Sequence, residues 1–200
     1  MGHTVFSGLR DDGTGGDTVA GDGLYSVTLL GQASGTLVAF RITATDSQAP
    51  AGTTLFPPDA PTRECLIRFG DASIPGTLGV YRLWMTSANY NTWANRERLS
   101  NEPVDGTFVY GKTRAIYNAG ARYRGSPFTR NPSSPIVVGA NFVWTLPEDD
   151  QFLGTDELNI DSLEPTGRDA TALREFTSFS MAEQLGIPHC YQRYIRPVIN

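Results

Sequence analysis

Cysteine, histidine and lysine are scarce in this chain, and their scarcity excludes several kinds of site. Its 200 residues include 2 cysteines and 2 histidines, and Lys112 is its single lysine. Cys65 and Cys190 are too few for a disulfide framework, and they lack the paired spacing of a zinc site. Two states remain open for them, which are buried free thiols or one disulfide between the two.

Long apolar runs are absent as well. No segment reaches the roughly 20 apolar residues that cross a bilayer, and no charged-then-apolar leader opens the sequence. We therefore predict no membrane span, and we expect any secretion signal to lie upstream of Met1. The formal net charge is -5, and no cluster of basic residues offsets it, which argues against a nucleic-acid-binding surface.

Residues 1–60 predict a small β-sandwich module. Alternating apolar residues mark strands at 25–29 and 38–44, and the turn at 31–35 joins them as a hairpin. The preceding loop, DDGTGGDTVAGDGLYS at 11–26, has Asp and Gly at turn positions. It resembles the DDG…GD…GDGxY signature of small modules on bacterial surface proteins, which implies an immunoglobulin-like fold for this unit.

Four aspartates of that loop are candidate metal ligands: Asp11, Asp12, Asp17 and Asp22. Carboxylate oxygens are preferred ligands of Ca²⁺, so the four side chains indicate a calcium site if the loop gathers them. The EF-hand order and its closing glutamate are absent, and the same aspartates also fit Asx turns with solvated carboxylates. A calcium-stabilised binding module is one interpretation of this unit.

A proline-rich segment at 46–62 predicts a linker to a second unit, which spans residues 61–200. The mixture of strand and helix patterns predicts an α+β fold for this unit. The acidic stretch at 148–161 indicates a solvated loop, with cation binding as the alternative. The predicted strands lie at 65–69, 80–85, 107–111, 114–118, 121–125, 137–146 and 190–199.

Two helices are predicted in the second unit. Thr86 or Ser87 can cap a short helix. Asp169 is a candidate N-cap for a longer helix at 170–185, which the Gly-x-Pro sequence after it terminates. We expect its apolar side to cover a sheet. The residues on that side are Leu173, Phe176 and Phe179, with Met181 or Ala182.

Five motifs follow one another in the second unit: VYRLWMT at 80–86, FVYGKTRAIYNAGARYRGS at 108–126, DDQFLG at 149–154, LREF at 173–176 and QLGIPHCYQRYIRPVIN at 184–200. In this order they resemble the spore-coat protein H (CotH) kinase-like family over roughly residues 62–200. The resemblance implies an atypical protein-kinase fold, with residues 61–200 as its amino-terminal lobe. It also implies ATP with Mg²⁺ or Mn²⁺ as cofactors, and phosphorylation of Ser on coat or extracellular proteins of bacteria.

The resemblance implies a nucleotide site at two places. Arg124, Gly125 and Ser126 match the arginine-glycine turn of the family, where backbone N–H groups and a guanidinium can bind phosphate. Glu175 matches the helix acid that positions a strand cation in kinases. Two structural alternatives stay open, namely a β-turn with a surface arginine and a solvent-facing helix carboxylate.

One part of the family pattern is missing. A lysine-bearing strand usually follows the arginine-glycine turn, whereas Gly139 or Ala140 stands there in this chain. A guanidinium does not reproduce a compact ammonium at a phosphate. The family also continues beyond the equivalent of Asn200 into a lobe with metal-binding and catalytic acids, so we interpret the chain as a fragment that is inactive alone.

The sequence therefore indicates two candidate functions. The first is the amino-terminal part of a CotH-like kinase that acts on a protein substrate. The second is a non-catalytic scaffold or adhesion protein with a degenerate kinase-like lobe and a surface partner. Both readings of the resemblance imply a secreted or cell-surface location.

Overall fold

The computed structural model describes residues 7–97, 99–125, 141–161 and 171–200. These residues form ten strands and two helices, so the predicted α+β class is confirmed. The helices are α1 (Ser87–Asn95) and α2 (Leu173–Gln184). The strands are β1 (Leu37–Phe40), β2 (Ile42–Thr45), β3 (Thr53–Phe56), β4 (Cys65–Arg68), β5 (Gly79–Trp84), β6 (Val104–Tyr110), β7 (Arg114–Tyr123), β8 (Phe142–Thr145), β9 (Glu157–Ile160) and β10 (Ile195–Ile199).

Six strands make one mixed sheet in the order β10-β5-β6-β7-β8-β9. The strands from β5 to β9 pair antiparallel, whereas β10 lies parallel to β5 at one edge, with Pro197 opposite Tyr81. Just beyond β10, the Asn200 N–H donates to the carbonyl oxygen of Leu83 at 3.3 Å. This sheet establishes the α+β architecture, and the kinase-like lobe stays a prediction.

The predicted strands at 114–118 and 121–125 are one strand with a β-bulge. In β7, two residues, Tyr117 and Asn118, lie opposite the single residue Thr107 of β6. Asn118 has a φ of 58°, a left-handed conformation that asparagine tolerates better than most residues. The break predicted at residues 119–120 is therefore wrong, since those residues pair regularly in one continuous strand and the irregularity is the bulge just before them.

One face of the large sheet carries an aromatic core that α1 closes. Phe108 and Trp144 are fully buried on the sheet. Trp93 of α1 is fully buried in the same cluster, where its ring packs against Tyr123 and Phe142. The Tyr123 hydroxyl donates to the Trp93 carbonyl oxygen at 3.1 Å, which ties α1 to β7. The predicted cap of α1 is confirmed, because the Thr86 hydroxyl oxygen accepts the Asn89 N–H at 3.1 Å.

The opposite face of the sheet is covered by the small β1-β4 sheet. Cys65 and Leu66 of β4 are fully buried, and the Leu66 N–H donates to the Thr107 hydroxyl at 3.1 Å. β1 pairs with β4 so that Val38 lies opposite Ile67. This ladder crosses residue 60, where the sequence predicts the boundary between two units, and that boundary stays a prediction.

The predicted hairpin between residues 25–29 and 38–44 is wrong. The second segment splits into β1 and β2, and β2 pairs with β3 at Thr53–Phe56, inside the predicted linker. Within residues 7–97, the first segment forms no strand. It makes an isolated bridge between Ser26 and Arg10 and a hydrogen bond from the Thr28 N–H to the Gly15 carbonyl oxygen. The physical reason is that β4 carries apolar side chains that need cover, and β1 supplies it from a distant position in the sequence.

Helix α2 lies where it was predicted, but its apolar side is exposed. Leu173 is 55% exposed and Met181 is 57% exposed, and α2 has no buried residue. Phe176 stacks on Tyr194 with 5.6 Å between ring centroids. The expected sheet-covering stripe is therefore wrong in the described structure. Gly186, at φ 67°, follows the helix as predicted. The N-cap of α2 is Ala172, which makes no side-chain capping hydrogen bond, so the predicted N-cap at Asp169 is wrong. Asp169 itself lies outside the described residues.

In the described residues, neither helix combines the length and the apolar character that crossing a membrane requires.

Candidate functional site

The predicted phosphate-binding turn begins where β7 ends. The Arg124 N–H donates to the Asn141 carbonyl oxygen at 2.9 Å, which continues the β7–β8 pairing past Tyr123. Gly125 then has a φ of 99°, a conformation that L side chains rarely adopt. The chain therefore turns sharply after Arg124. Ser126 lies outside the described residues.

Arg124 already has an acidic partner in this structure. Its guanidinium forms an ion pair with the carboxylate of Asp161, which directly follows β9. Both side chains are about one third exposed, at 37% and 32%. An anion that bound Arg124 would therefore compete with Asp161 at a position that solvent can reach.

The same pattern recurs along β7. Arg122 pairs with Glu157 at 2.6 Å, and Arg114 pairs with Asp150. The acidic stretch at 148–161 is thus the counter-charge of the β7 arginines rather than only a solvated loop. Arg122 and Arg124 alternate with the buried Ala121 and Tyr123, so both lie on the face of β7 opposite the aromatic core, whereas Arg114 precedes the bulge and lies on the face of the buried Ile116. The sequence argument did not use this alternation.

Glu175 lies in the first turn of α2 and is exposed. No ion pair of the described residues includes Glu175, and none joins it to Arg124. Its position near the helix N-terminus favours a carboxylate through the helix dipole. The structure therefore leaves its predicted role in the nucleotide site untested.

The single lysine is at the other end of β7 from the turn. Lys112 belongs to the turn at 111–113 that joins β6 to β7, whereas Arg124 follows the last residue of β7. Gly139 and Ala140, which stand at the position of the family's lysine, lie outside the described residues. No lysine in the chain can thus accompany Arg124 at its end of the strand.

Three of the four predicted metal ligands come together in the amino-terminal loop. Asp11, Asp17 and Asp22 each place one carboxylate oxygen within 4.8 Å of the others. Oxygens on opposite sides of a Ca²⁺ ion are about 4.6–5.2 Å apart, twice the metal–oxygen distance, so this spacing fits calcium. Asp12 is not a member of this group of described residues; it binds Thr14 and Arg10 instead.

The same carboxylates also fix the loop by accepting backbone N–H groups. Asp11 accepts the N–H groups of Asp22 and Gly23, both at 3.1 Å. Asp17 is only 7% exposed, and its carboxylate accepts the Gly13 N–H at 2.6 Å. The predicted Asx-type turns and the gathered carboxylates therefore coexist, and carboxylates keep further lone pairs when they accept one N–H.

Asp12 has hydrogen-bond and charge partners of its own in the loop. The hydrogen bond from the Thr14 hydroxyl is the largest cause that lowers the pKa of Asp12 below its ordinary value of 3.8. A backbone hydrogen bond from Thr14 and the Arg10 charge act in the same direction. Asp12 therefore stabilises its own turn and lies apart from the candidate metal group.

The two thiols are both free. Cys65 is buried, as the sequence argument expected of a free thiol, whereas Cys190 is exposed, so its predicted burial is wrong. The alternative of one disulfide between them does not occur. Burial is the largest cause that raises the pKa of Cys65 to about 12, and the charges of Asp105 and Glu64 add to it.

A partly buried ion pair that the sequence argument missed lies where the small sheet meets the bulge. The Arg63 Nε donates to the Asp105 carboxylate at 3.1 Å, and one terminal nitrogen donates to the carbonyl oxygens of Asn118 and Ala119. Desolvation is the largest influence on Asp105 and raises its pKa above 3.8, against the lowering effect of Arg63. Arg63 thus satisfies two backbone carbonyl oxygens at the bulge.

No protein-family model matches this chain, and no curated protein matches it. The CotH resemblance therefore depends on the order of the five motifs, and the function that it implies is a proposal.

Proposed function

We propose that this chain is the amino-terminal portion of a CotH-like atypical protein kinase and that residues 61–200 contribute part of its nucleotide-binding lobe. The observation that carries the proposal is the Arg124-Gly125 turn at the end of β7. Gly125 has a positive φ, so the backbone can approach an anion closely, and Arg124 offers a planar fork of donors beside it. ATP with Mg²⁺ or Mn²⁺ is the ligand, and a serine of a coat or extracellular protein is the acceptor.

The ion pair of Arg124 defines how a phosphate would bind. Asp161 neutralises the guanidinium in the absence of nucleotide, and the pair is exposed enough to exchange partners at small cost. A phosphate oxygen would replace the Asp161 carboxylate in a charge-assisted hydrogen bond. Glu175 is proposed to position a cation of the same lobe, and the catalytic and metal-binding acids of the family belong to a later lobe.

Substitution of Arg124 tests this proposal in the full-length parent. We expect Arg124→Ala to weaken the binding of ATP with Mg²⁺ by about 1.5–3 kcal/mol, which is the range for a charged hydrogen bond. Arg122→Ala is the matched control, because Arg122 lies on the same strand and also pairs with an acid. Calorimetric titration measures both affinities. Equal losses in the two variants, or none in either, would contradict the proposal.

The isolated chain provides a second test. We expect these 200 residues to show no autophosphorylation with labelled ATP and Mg²⁺ or Mn²⁺, because phosphoryl transfer needs acids that hold the metal ions. Clear turnover by this chain would show that its own residues complete the catalytic site.

A non-catalytic scaffold is the second candidate function, and the position of Lys112 favours it. The single lysine lies at the end of β7 opposite Arg124, so the chain cannot supply the compact ammonium that kinases use at phosphate. Calorimetry of the full-length parent separates the two candidates. Saturable binding of ATP that requires a divalent metal excludes the scaffold, whereas no binding at any metal concentration excludes the kinase.

A further inference from the structure

A narrow groove lies on the face of the large sheet that β4 covers, beyond the end of β4. Arg68 and Asp71 line it from β4 and the following loop, Arg82 and Trp84 from β5, and Val198 from β10. Its volume is about 170 Å³. Pockets for drug-sized ligands begin near roughly 300 Å³, so this groove suits a small head group.

The groove has more positive than negative charge. The nearest guanidinium nitrogens of Arg68 and Arg82 lie 3.3 Å and 3.4 Å from the two carboxylate oxygens of Asp71. The Trp84 indole N–H also donates to that carboxylate, at 3.1 Å. Among the side chains that line the groove, one carboxylate thus faces two guanidinium groups, which is a formal excess of one positive side-chain charge.

The two arginines also keep unused hydrogen-bond donors. Arg82 donates to the Ala72 carbonyl oxygen at 3.0 Å, although its side chain is only 10% exposed. In the described part of the chain, Arg68 contacts Asp71 only as an ion pair and donates no hydrogen bond. A guanidinium has five N–H donors. None of the Arg82 nitrogens is among the buried unpaired atoms of the described residues, so the Arg82 donors without a partner keep contact with solvent, and Arg82 is one of the residues that line the groove.

We propose that this groove binds an oxyanion, the phosphate or carboxylate group of a small ligand. Planar guanidinium groups bind both kinds of oxyanion through parallel hydrogen bonds. The almost buried Arg82 provides a weakly screened positive charge. Trp84 and Val198 supply an apolar wall, which a short aliphatic stem can contact. The site involves neither Arg124 nor Glu175 and is independent of the nucleotide proposal.

Asp71 is the internal competitor of such a ligand. Its carboxylate occupies the space between the two arginines and accepts the Trp84 indole N–H. Binding of an external oxyanion would add negative charge beside it and change the environment of that indole. Removal of the Asp71 charge should therefore strengthen binding, whereas removal of the Arg68 charge should weaken it.

The Trp84 indole N–H resonance is a local reporter for the test. The 200-residue protein is titrated with inorganic phosphate and, separately, with propionate, each at constant ionic strength maintained with sodium chloride. We expect the Trp84 signal to shift saturably, while the signals of the buried Trp93 and Trp144 stay in place. A shift with phosphate alone identifies a phosphoryl ligand, and a shift with propionate identifies a carboxylate ligand.

Three variants complete the experiment. We expect Arg68→Gln to weaken binding about tenfold or more, the loss of a charged hydrogen bond, and Asp71→Asn to strengthen it. Arg122→Gln is the matched control, since its side chain is 23% exposed against 26% for Arg68. No saturable shift in the wild-type protein with either anion overturns the proposal. An equal loss in Arg68→Gln and Arg122→Gln also overturns it, because binding would then follow overall charge.

Discussion

At the scale of single residues, burial makes two chemically identical thiols behave differently. Cys65 is enclosed between the two sheets, and its pKa is raised to about 12, whereas Cys190 is exposed. The thiolate is the reactive form of cysteine. Burial and protonation therefore both protect Cys65 from thiol reagents.

We predict that a thiol reagent modifies one cysteine per native chain. Cys190 should react within minutes near neutral pH, and Cys65 should react only when denaturant unfolds the protein. Titration with Ellman's reagent, with and without denaturant, measures this. Cys190→Ser should leave no fast thiol, and two fast thiols in the native wild-type protein would show that Cys65 is not enclosed.

Asp105 supplies a prediction for pH. Desolvation raises its pKa above 3.8, so the folded protein binds this proton more tightly than the unfolded chain. This tighter proton binding stabilises the folded protein at pH values below 3.8, and the stabilisation is lost as the pH rises through the raised pKa of Asp105. A carboxyl titration by NMR should give a midpoint above 3.8 for Asp105 and below 3.8 for Asp12, whose pKa is lowered. A lower midpoint for Asp105 than for Asp12 would contradict the prediction.

At the scale of elements, the amino-terminal loop gives the clearest test of metal binding. Asp11, Asp17 and Asp22 are gathered, and Asp12 is not. We predict that Ca²⁺ at about 100 times its Kd stabilises the protein by about 2.7 kcal/mol, which raises the melting temperature by several degrees. Scanning calorimetry with chelator and with Ca²⁺ measures the shift.

The control for calcium lies within the same loop. Asp17→Asn should abolish the shift in melting temperature, and Asp12→Asn should retain it, because only the first removes a gathered carboxylate. Identical melting curves of the wild-type protein in chelator and in millimolar Ca²⁺ would leave these aspartates as turn formers.

Local sequence patterns predicted the elements better than their partners. The cap at Thr86 and the stop at Gly186 depend on neighbouring residues, and both were correct from the sequence. The hairpin of residues 25–29 was wrong, because alternation marks a strand candidate but does not show that the segment finds a partner. Residues 25–29 form no strand, and the second segment pairs with β3 and β4. The exposed apolar side of α2 is a similar case, because an apolar stripe predicts an amphipathic helix but does not identify the surface on which the helix packs.

The candidate sites also differ in how far the sequence could predict them. The gathering of three aspartates was predictable, because they lie within 12 residues of one another along one loop. The pairing of Arg124 with Asp161 was not, since it depends on the order of β7, β8 and β9 in the sheet. The Arg68–Asp71–Arg82 group likewise needs β4 to lie over β5.

At the scale of the whole molecule, the β1–β4 ladder joins the first sixty residues to the large sheet. Cys65 and Leu66, which belong to β4 in this ladder, are fully buried. We predict that a chain starting at residue 61 is less stable than one starting at residue 31 by more than about 2 kcal/mol, because apolar area of β4 is exposed. Urea unfolding of the two chains measures the difference.

The reactivity of Cys65 provides a second measurement that compares the chains starting at residues 61 and 31. It should become accessible to Ellman's reagent in the chain that starts at residue 61 and stay protected in the chain that starts at residue 31. Equal stability and equal protection in both would show that β4 needs no cover from β1.

The edge of the sheet at β10 has a consequence for self-association. The Asn200 N–H points toward β5, and N–H groups alternate in direction along a strand, so the ring nitrogen of Pro197 points away from the sheet. A strand of another molecule that approached this edge would therefore meet no amide hydrogen at residue 197. Proline at an outward position is one way in which proteins prevent edge-to-edge aggregation, and this edge is protected against fibril-like stacking in that way.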